Sequence, residues 1–467
     1  MRLKRFSVSK LFGIFDHEIN LRLEDGITIV HAPNGYGKTV VFMLINHFFS
    51  GSLQAFKDVE FDEVTVEFDS GDIVRISQLL PSQPSLDLDD ATSMRRMERA
   101  PHRMLGRGRG RPYKIELLND PDAEAWEPYA LPPEGSDRRR FIAPAIERYV
   151  PQLVRLSASE YRDRLRGDVI NVEEAYARYS DDIPDNARRH RGPPEWLEAI
   201  RRSIQCQLIE TQRLVTKKNE ARSYERDEPP KAAVSAYRDA LAARIKAVLA
   251  ESATRSQSLD RTFPNRLLGR MRDNSRDPFS EDELRSRLGA LEQKRARLTA
   301  VDLLAYSDDS AIISDDEFDL PTRRILTEYV VDTDQKLGFY EDMLGRLELF
   351  TELLNEKLNF KSIRISRETG FEIRDIKKRL IDPEELSSGE QHELILFFDL
   401  IFGEARNRLI LIDEPEISLH IAWQKRFIPD LERIVALSPM DVIISTHSPQ
   451  LISHYRNLVE QFRRPNV

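Results

Sequence analysis

Apolar and polar residues alternate along Met1–Val8, Ile19–Leu23, Val64–Phe68 and Ile73–Ile76, while Ile27–His31 is apolar almost throughout. Alternation suits a strand with one face on a core, and an unbroken apolar run suits a strand covered on both faces. The stretch Val40–Phe49 has the density of a buried helix. Residues 1–80 thus predict strands around one helix. From Pro81 to about Gly135 the pattern fades into Pro, Asp, Arg and Gly, which predicts loops inserted into the first lobe. Residues 141–220 are mixed and end on the strand-like segment Gln207–Leu214.

Residues 221–358 change period. Val234, Tyr237, Leu241, Ile245 and Val248 step by three and four, which places them on one helical face. Ser280-Glu281-Asp282-Glu283 has the form of a capping box, and Leu284, Leu288, Leu291 and Leu298 then follow a short heptad-like stripe. A further helix is expected from Pro321 to Leu358, with a break at Asp332 or Gly338. Strand–helix alternation returns over 361–467. The predicted organisation is a first lobe at 1–220 carrying an insertion near 81–135, a helical insertion at 221–358, and a second lobe at 359–467.

Composition narrows the class. The net charge of -9 excludes a protein that coats nucleic acid with its whole surface, so any such contact is local. A single cysteine, Cys206, excludes an internal disulfide and fits a reducing, cytoplasmic setting. The longest apolar run is interrupted by Asn46 and His47, and it is too short to span a bilayer. No membrane partner is expected.

Candidate chemistry sits at strand ends. Ala32-Pro33-Asn34-Gly35-Tyr36-Gly37-Lys38-Thr39 lies between a strand and a helix, where backbone N–H groups and the positive helix end converge on an anion. Gly35 and Gly37 allow close backbone approach, Lys38 would reach the β/γ-phosphates of ATP, and the Thr39 hydroxyl would bind Mg²⁺. Ala32 replaces the first glycine of the usual pattern. Leu409-Ile410-Leu411-Ile412-Asp413-Glu414 reads as a buried strand ending in two carboxylates. Asp413 would hold Mg²⁺, and Glu414 would polarise the attacking water. His447 ends the apolar strand Ile443–Thr446 and would contact the γ-phosphate or its water. Ser387, Ser388, Gly389 and Glu390 open a helix-like run and offer N–H and hydroxyl donors to a phosphate. Gln212 is a candidate for sensing Mg²⁺ and the attacking water.

Together these residues resemble the ABC-type ATPase heads of the SMC, RecF and OLD class. The resemblance implies an α/β P-loop NTPase with two lobes and a helical insertion. It identifies Ala32–Thr39 as Walker A, Gln212 as the Q-loop, Leu386–Gln391 as the signature, Leu409–Glu414 as Walker B, Ile417–His420 as the D-loop and His447 as the switch histidine. Ser388 stands where the commonest signature has glycine. The runs Leu386–Glu393 and Asp413–His420 are similar to those of bacterial antiphage-defence ATPases such as PtuA of the Septu system. That likeness implies ATP-driven homodimerisation, or a higher homo-oligomer, through composite sites, and control of a separate effector, a nuclease by expectation. Transporter ATPases place the signature much closer to the P-loop, whereas here about 350 residues separate Lys38 from Ser387.

Two alternatives remain open on sequence: a repair or recombination ATPase of the SMC or RecF type, and a nucleotide-gated scaffold with little turnover. Met94–Lys114 carries Arg95, Arg96, Arg99, Arg103, Arg107, Arg109, Arg111 and Lys114 against Glu98, interleaved with glycines. Such a segment suits salt-sensitive, sequence-independent contact with nucleic acid, or with an acidic partner. Only twenty residues follow His447, too few for the nuclease domain of OLD-class proteins, so any cleavage is expected from a separate protein.

Overall fold

The chain begins with three strands, β1 (Leu3–Leu11), β2 (Phe15–Asn20) and β3 (Ile27–His31), and then helix α1 (Lys38–Ser50). Strands β4 (Glu63–Phe68), β5 (Ile73–Gln78) and β6 (Tyr113–Leu117) follow. Next come β7 (Leu153–Arg155), β8 (Glu160–Asp163), β9 (Val169–Asn171) and β10 (Gln205–Ile209). After four helices the chain forms β11 (Lys361–Ser366), β12 (Gly370–Asp375) and β13 (Leu380–Ile381), and later β14 (Arg408–Asp413), β15 (Asp441–Thr446) and β16 (Val459–Gln461). The structure, a computed structural model, describes all residues except 34, 53–54, 80–111, 129–135, 180–181, 184–191, 210–232, 273–276, 306–316, 404–406, 418–420, 453–454 and 463–467. At 136–141, 173, 177, 233 and 421–422 it describes the backbone alone.

The fold is α/β and divides into two compact units. One comprises Met1–Ile209, Ala405–Pro415 and Pro439–Val467, and the other Glu210–Glu404 and Glu416–Ser438. This differs from the contiguous lobes expected at 1–220 and 359–467. The physical reason is strand pairing: β14, β15 and β16 find their hydrogen-bond partners in the N-terminal part of the chain.

The first unit holds two five-stranded sheets. One is antiparallel, in the order β2-β1-β4-β5-β6. The other is parallel, in the order β10-β14-β15-β3-β16. Val41, Phe42, Ile45 and Phe48 of α1 share one core with Phe6, Val64 and Val66 of the first sheet and Leu409, Leu411 and Ile443 of the second. The strand expected at Ile19–Leu23 lies instead at Phe15–Asn20. Its inward positions are Phe15, His17 and Ile19, and the buried histidine masks the alternation. Tyr113 and Ile115 point inward from β6, so the stretch read as loop near 81–135 contains a sheet strand. The arginine-rich segment lies outside the described residues up to Arg111. A small module at 136–183 has its own core around Ile142, Ile146, Tyr161, Ile170 and Val172.

The second unit is mainly helical. A 40-residue helix, Ala233–Arg272, extends about 60 Å and contains Pro264. Ser280 caps Glu281–Ala300 by accepting the Glu283 N–H at 3.2 Å, and the four leucines of the stripe are buried. The expected third helix is two, Leu320–Gly338 and Glu341–Asn355. The break falls beside Gly338. Asp332 stays within the first of them, buried and ion-paired to Lys336 at 2.6 Å and to Arg266. The antiparallel sheet β11-β12-β13 packs on the long helix at Gly370, where a Cβ would lie 2.2 Å from the Arg238 carbonyl. Only glycine fits there.

Candidate functional site

The parallel sheet gathers the chemistry of the first unit at one edge. In a parallel sheet all carboxyl ends lie on one side, and ligands bind in the crevice there. Register pairs Asp413 with Ser445 and Thr446 with His31. The loop 32–37, the Asp413–Glu414 pair and His447 therefore emerge side by side, although more than 400 residues separate β3 from β15.

Gly37 is the N-cap of α1 with φ 77°, and Gly35 has φ 85°. A Cβ on Gly37 would lie 3.0 Å from Leu11 Cδ2 as well as being strained. Lys38 is 4% exposed and turns its ammonium to the carbonyls of Ala32 at 2.9 Å and Pro33 at 3.3 Å. The Glu414 carboxylate lies 3.5 Å from the same Nζ. Thr39 Oγ1 donates to Asp413 Oδ2 at 2.7 Å, and Ser445 Oγ donates to the other carboxylate oxygen. Asp413, at the end of β14, is thus held by β15 and α1.

Glu414 has φ 47°, unusual for a side chain with a Cβ, and its N–H donates to the Ser445 carbonyl at 3.0 Å. This turn swings the carboxylate out of the sheet line, between Lys38 and His447, whose Nδ1 is 3.8 Å from Glu414 Oε1. Lys38, Thr39, Asp413, Glu414 and His447 form one cluster of acid, base and hydroxyl groups. Asn34 and Gln212 lie outside the described residues.

Two further residues support the cluster. Ser445 lies within the apolar strand Ile443–Thr446, where its contact with the Asp413 carboxylate carries no sequence signal. His17 Nε2 donates to the Tyr36 carbonyl at 2.8 Å, and its ring stacks on Phe462 at 3.9 Å. Burial pushes the His17 pKa down, so the neutral ring anchors the chain at Tyr36, beside Gly35 and Gly37. A lone histidine on a strand gives no motif to find it by.

Ser387, Ser388, Gly389 and Glu390 belong to the second unit and open the helix Ser388–Phe402. Ser387 is its N-cap, in a full capping box. Its hydroxyl and N–H each donate to Glu390 Oε2 at 2.8 Å, and Lys361 Nζ holds the same carboxylate at 2.8 Å. One turn on, Glu393 is buried, and burial is the main cause that pushes its pKa up to about 8. Nearby, Lys357 pairs with Asp430 at 2.6 Å, both buried. Of the D-loop run, Ile417 is exposed and 418–420 lie outside the described residues. Among the described residues no group of three or more His, Cys, Asp or Glu is placed to hold a metal, and no helix is long and apolar enough to cross a membrane.

A family profile described as "AAA domain, putative AbiEii toxin, Type IV TA system" matches residues 33–453. No curated protein matches in sequence. Among solved structures, the chain is similar to the Smc head domain of Pyrococcus furiosus, bound to the C-terminal domain of ScpA. Identity is 13%, with 97% of this chain and 91% of that one covered, at a TM-score of 0.32. The SMC head domain of Thermotoga maritima gives 11% identity, 97% and 92% coverage, and a TM-score of 0.31.

Proposed function

The chain belongs to this AAA-domain family, and from that premise we propose that it binds and hydrolyses ATP, dimerises when ATP is bound, and thereby controls a separate effector protein. The observation that carries the reading is the convergence of Lys38, Thr39, Asp413, Glu414 and His447 at one sheet edge.

Each residue has a task that its geometry supports. Gly35 and Gly37 let the loop wrap phosphate oxygens with N–H groups, and Lys38 exchanges two loop carbonyls and Glu414 for the β/γ-phosphate charge. The Thr39 hydroxyl and the Asp413 carboxylate are hard oxygen donors 2.7 Å apart, which fits Mg²⁺. They would hold that ion, whose chemistry is to neutralise phosphate charge. Glu414 accepts the proton of the attacking water once Lys38 has moved to phosphate. His447, beside it, hydrogen-bonds the water or the γ-phosphate oxygen. Ser387–Glu390 of a second copy complete the site with helix-start donors.

The family description names a toxin–antitoxin system, which supports a role in antiphage defence, and the effector we propose is a nuclease. The reading is tested by nucleotide binding and turnover together. Lys38→Ala is expected to lose ATP binding, and Glu414→Gln to keep binding while slowing turnover by about 100-fold or more. Wild-type turnover in Glu414→Gln would remove that carboxylate from the chemistry. Capture of the native effector on the ATP-locked Glu414→Gln chain, and not on Lys38→Ala, tests the partner.

A further inference from the structure

The second unit exposes an apolar lip beside the signature residues. Phe360 is 79% exposed, Ile376 74% and Leu380 65%. Register pairs Lys361 with Asp375 and Arg374 with Leu380, so these three side chains stand at one end of the β11-β12-β13 sheet. Phe360 has φ 60° and Lys378 φ 62°. A phenylalanine held in the left-handed region and turned to solvent is disfavoured twice, by backbone strain and by exposure. Folding alone explains neither. The next residue, Lys361, holds Glu390, and Glu390 holds Ser387. The lip is thus joined to the signature by one lysine side chain, and it is rimmed by the exposed Lys377 and Lys378.

A matching surface lies beside the phosphate loop in the first unit. Phe12 is 44% and Ile14 53% exposed, in the turn between β1 and β2. Phe12 also has a positive φ, 55°, and its ring edge would lie 3.4 Å from a Cβ placed on Gly37. Around this turn Asp16 and Glu60 are exposed and Glu18 is half-buried; Asp16 pairs with Lys10 at 3.6 Å and Glu18 with Arg5 at 3.5 Å, surface pairs weak enough to exchange partners on docking. One surface is apolar with a basic rim and flanks the signature. The other is apolar, carries the carboxylates of Asp16, Glu18 and Glu60 at its rim beside Lys10 and Arg5, and flanks the phosphate loop.

We propose that in the ATP-bound dimer the lip Phe360–Ile376–Leu380 of one copy docks on the Phe12–Ile14 turn of the second copy, with Lys377 and Lys378 facing Asp16 and Glu18. This rests on the composite-site reading above and names the surface that seats it. The twofold relation repeats the contact, so each phosphate loop is flanked by its partner's lip. Lys361, next to Phe360 in the chain, reaches the carboxylate that holds Ser387, so a copy that meets Ser387 comes near the lip, and apolar cover is what these three side chains lack.

The test uses the full chain. Affinity for a fluorescent ATP analogue and dimer formation by mass photometry are measured for wild type and for Phe360→Ser/Ile376→Ser. The double variant is expected to bind nucleotide within about twofold of wild type and to dimerise at least thirtyfold more weakly. Dimerisation at wild-type strength overturns the proposal. A wild type that binds ATP without dimerising overturns the composite site and the lip together, and a wild type that binds no ATP overturns the ATPase reading itself. If the double variant fails to fold, benzoylphenylalanine at position 360 replaces it. ATP-dependent photocrosslinking to the peptide containing Phe12–Ile14 supports the contact. A crosslink to another peptide or another protein, or none in a confirmed dimer, overturns it. Lys377→Glu/Lys378→Glu is expected to weaken the dimer about tenfold, and Asp16→Lys/Glu18→Lys in the same chain to restore it. No recovery would remove the charged rim from the interface.

Discussion

The two halves of the proposed nucleotide site are built in opposite ways. In the first unit five side chains from three distant segments meet because a parallel sheet aligns their strand ends. The signature half is one continuous run, Ser387–Glu390, organised by its own capping box. Long-range construction gives a rigid cluster whose members hold one another: Thr39 on Asp413, Ser445 on Asp413, Glu414 on Lys38. Local construction gives a helix start that forms wherever its helix forms. Under the proposed function, the first supplies catalytic geometry and the second docks on another copy.

The sharpest way to break this contrast is to mix defects. Lys38→Ala chains and Ser387→Arg chains are each expected to be inactive. After subunit exchange they form one site with both defects and one with neither, so ATPase activity should recover in part. Confirmed exchange with no recovery would mean that the two halves do not complement between copies, or that both sites must fire together.

Next in size is a test of the packing behind the signature. Glu393 has a folded pKa of about 8 against 4.5 unfolded, because burial disfavours its charge. Between those values the folded chain holds a proton that the unfolded chain has lost. Its contribution to stability is full below about pH 4.5 and disappears as pH rises through about 8. Glu393→Gln should therefore stabilise the protein at pH 9 by roughly a few kcal/mol and flatten the pH dependence of Tm. An unchanged pH profile would mean that the carboxyl is not protonated in the fold.

A smaller effect separates the anchor of the phosphate loop from its chemistry. His17→Ala removes one hydrogen bond to the Tyr36 carbonyl, worth about 1 kcal/mol. ATP affinity should fall about fivefold while the turnover of bound ATP stays near wild type. A loss of turnover equal to that of Glu414→Gln would make His17 more than an anchor. The smallest change is expected from Ser280→Ala, which removes a helix cap that touches neither half. It should cost about 1 kcal/mol of stability and leave ATP affinity alone.

What the chain disclosed in advance follows the same division. The helix stripe at Leu284–Leu298, the strand Ile27–His31 and the run Leu409–Glu414 were legible because their burial patterns are local and regular. Strand β2 was misplaced because His17 occupies an inward position, and β6 was missed because five residues are too few to stand out in a Pro- and Arg-rich stretch. The interleaving of the units was hidden for a different reason: pairing between residues hundreds of positions apart leaves no trace in either segment alone. Within the cluster, the motif residues were visible as residue types. The Lys38–Glu414 contact and the Ser445–Asp413 bond depend on register, which only the folded sheet provides.

The sheet order has a consequence for how this molecule comes into being. The neighbours of β3 are β15 and β16, both contributed from beyond residue 440. During synthesis the strand that leads into the phosphate loop therefore waits, without a partner on either side, while more than 400 residues are made. The nascent chain cannot assemble the crevice early. Closure of so long a loop comes late and makes folding slow. The edge that carries the candidate cluster therefore forms only after β15 and β16 have been made, and a chain cut short before residue 441 lacks it.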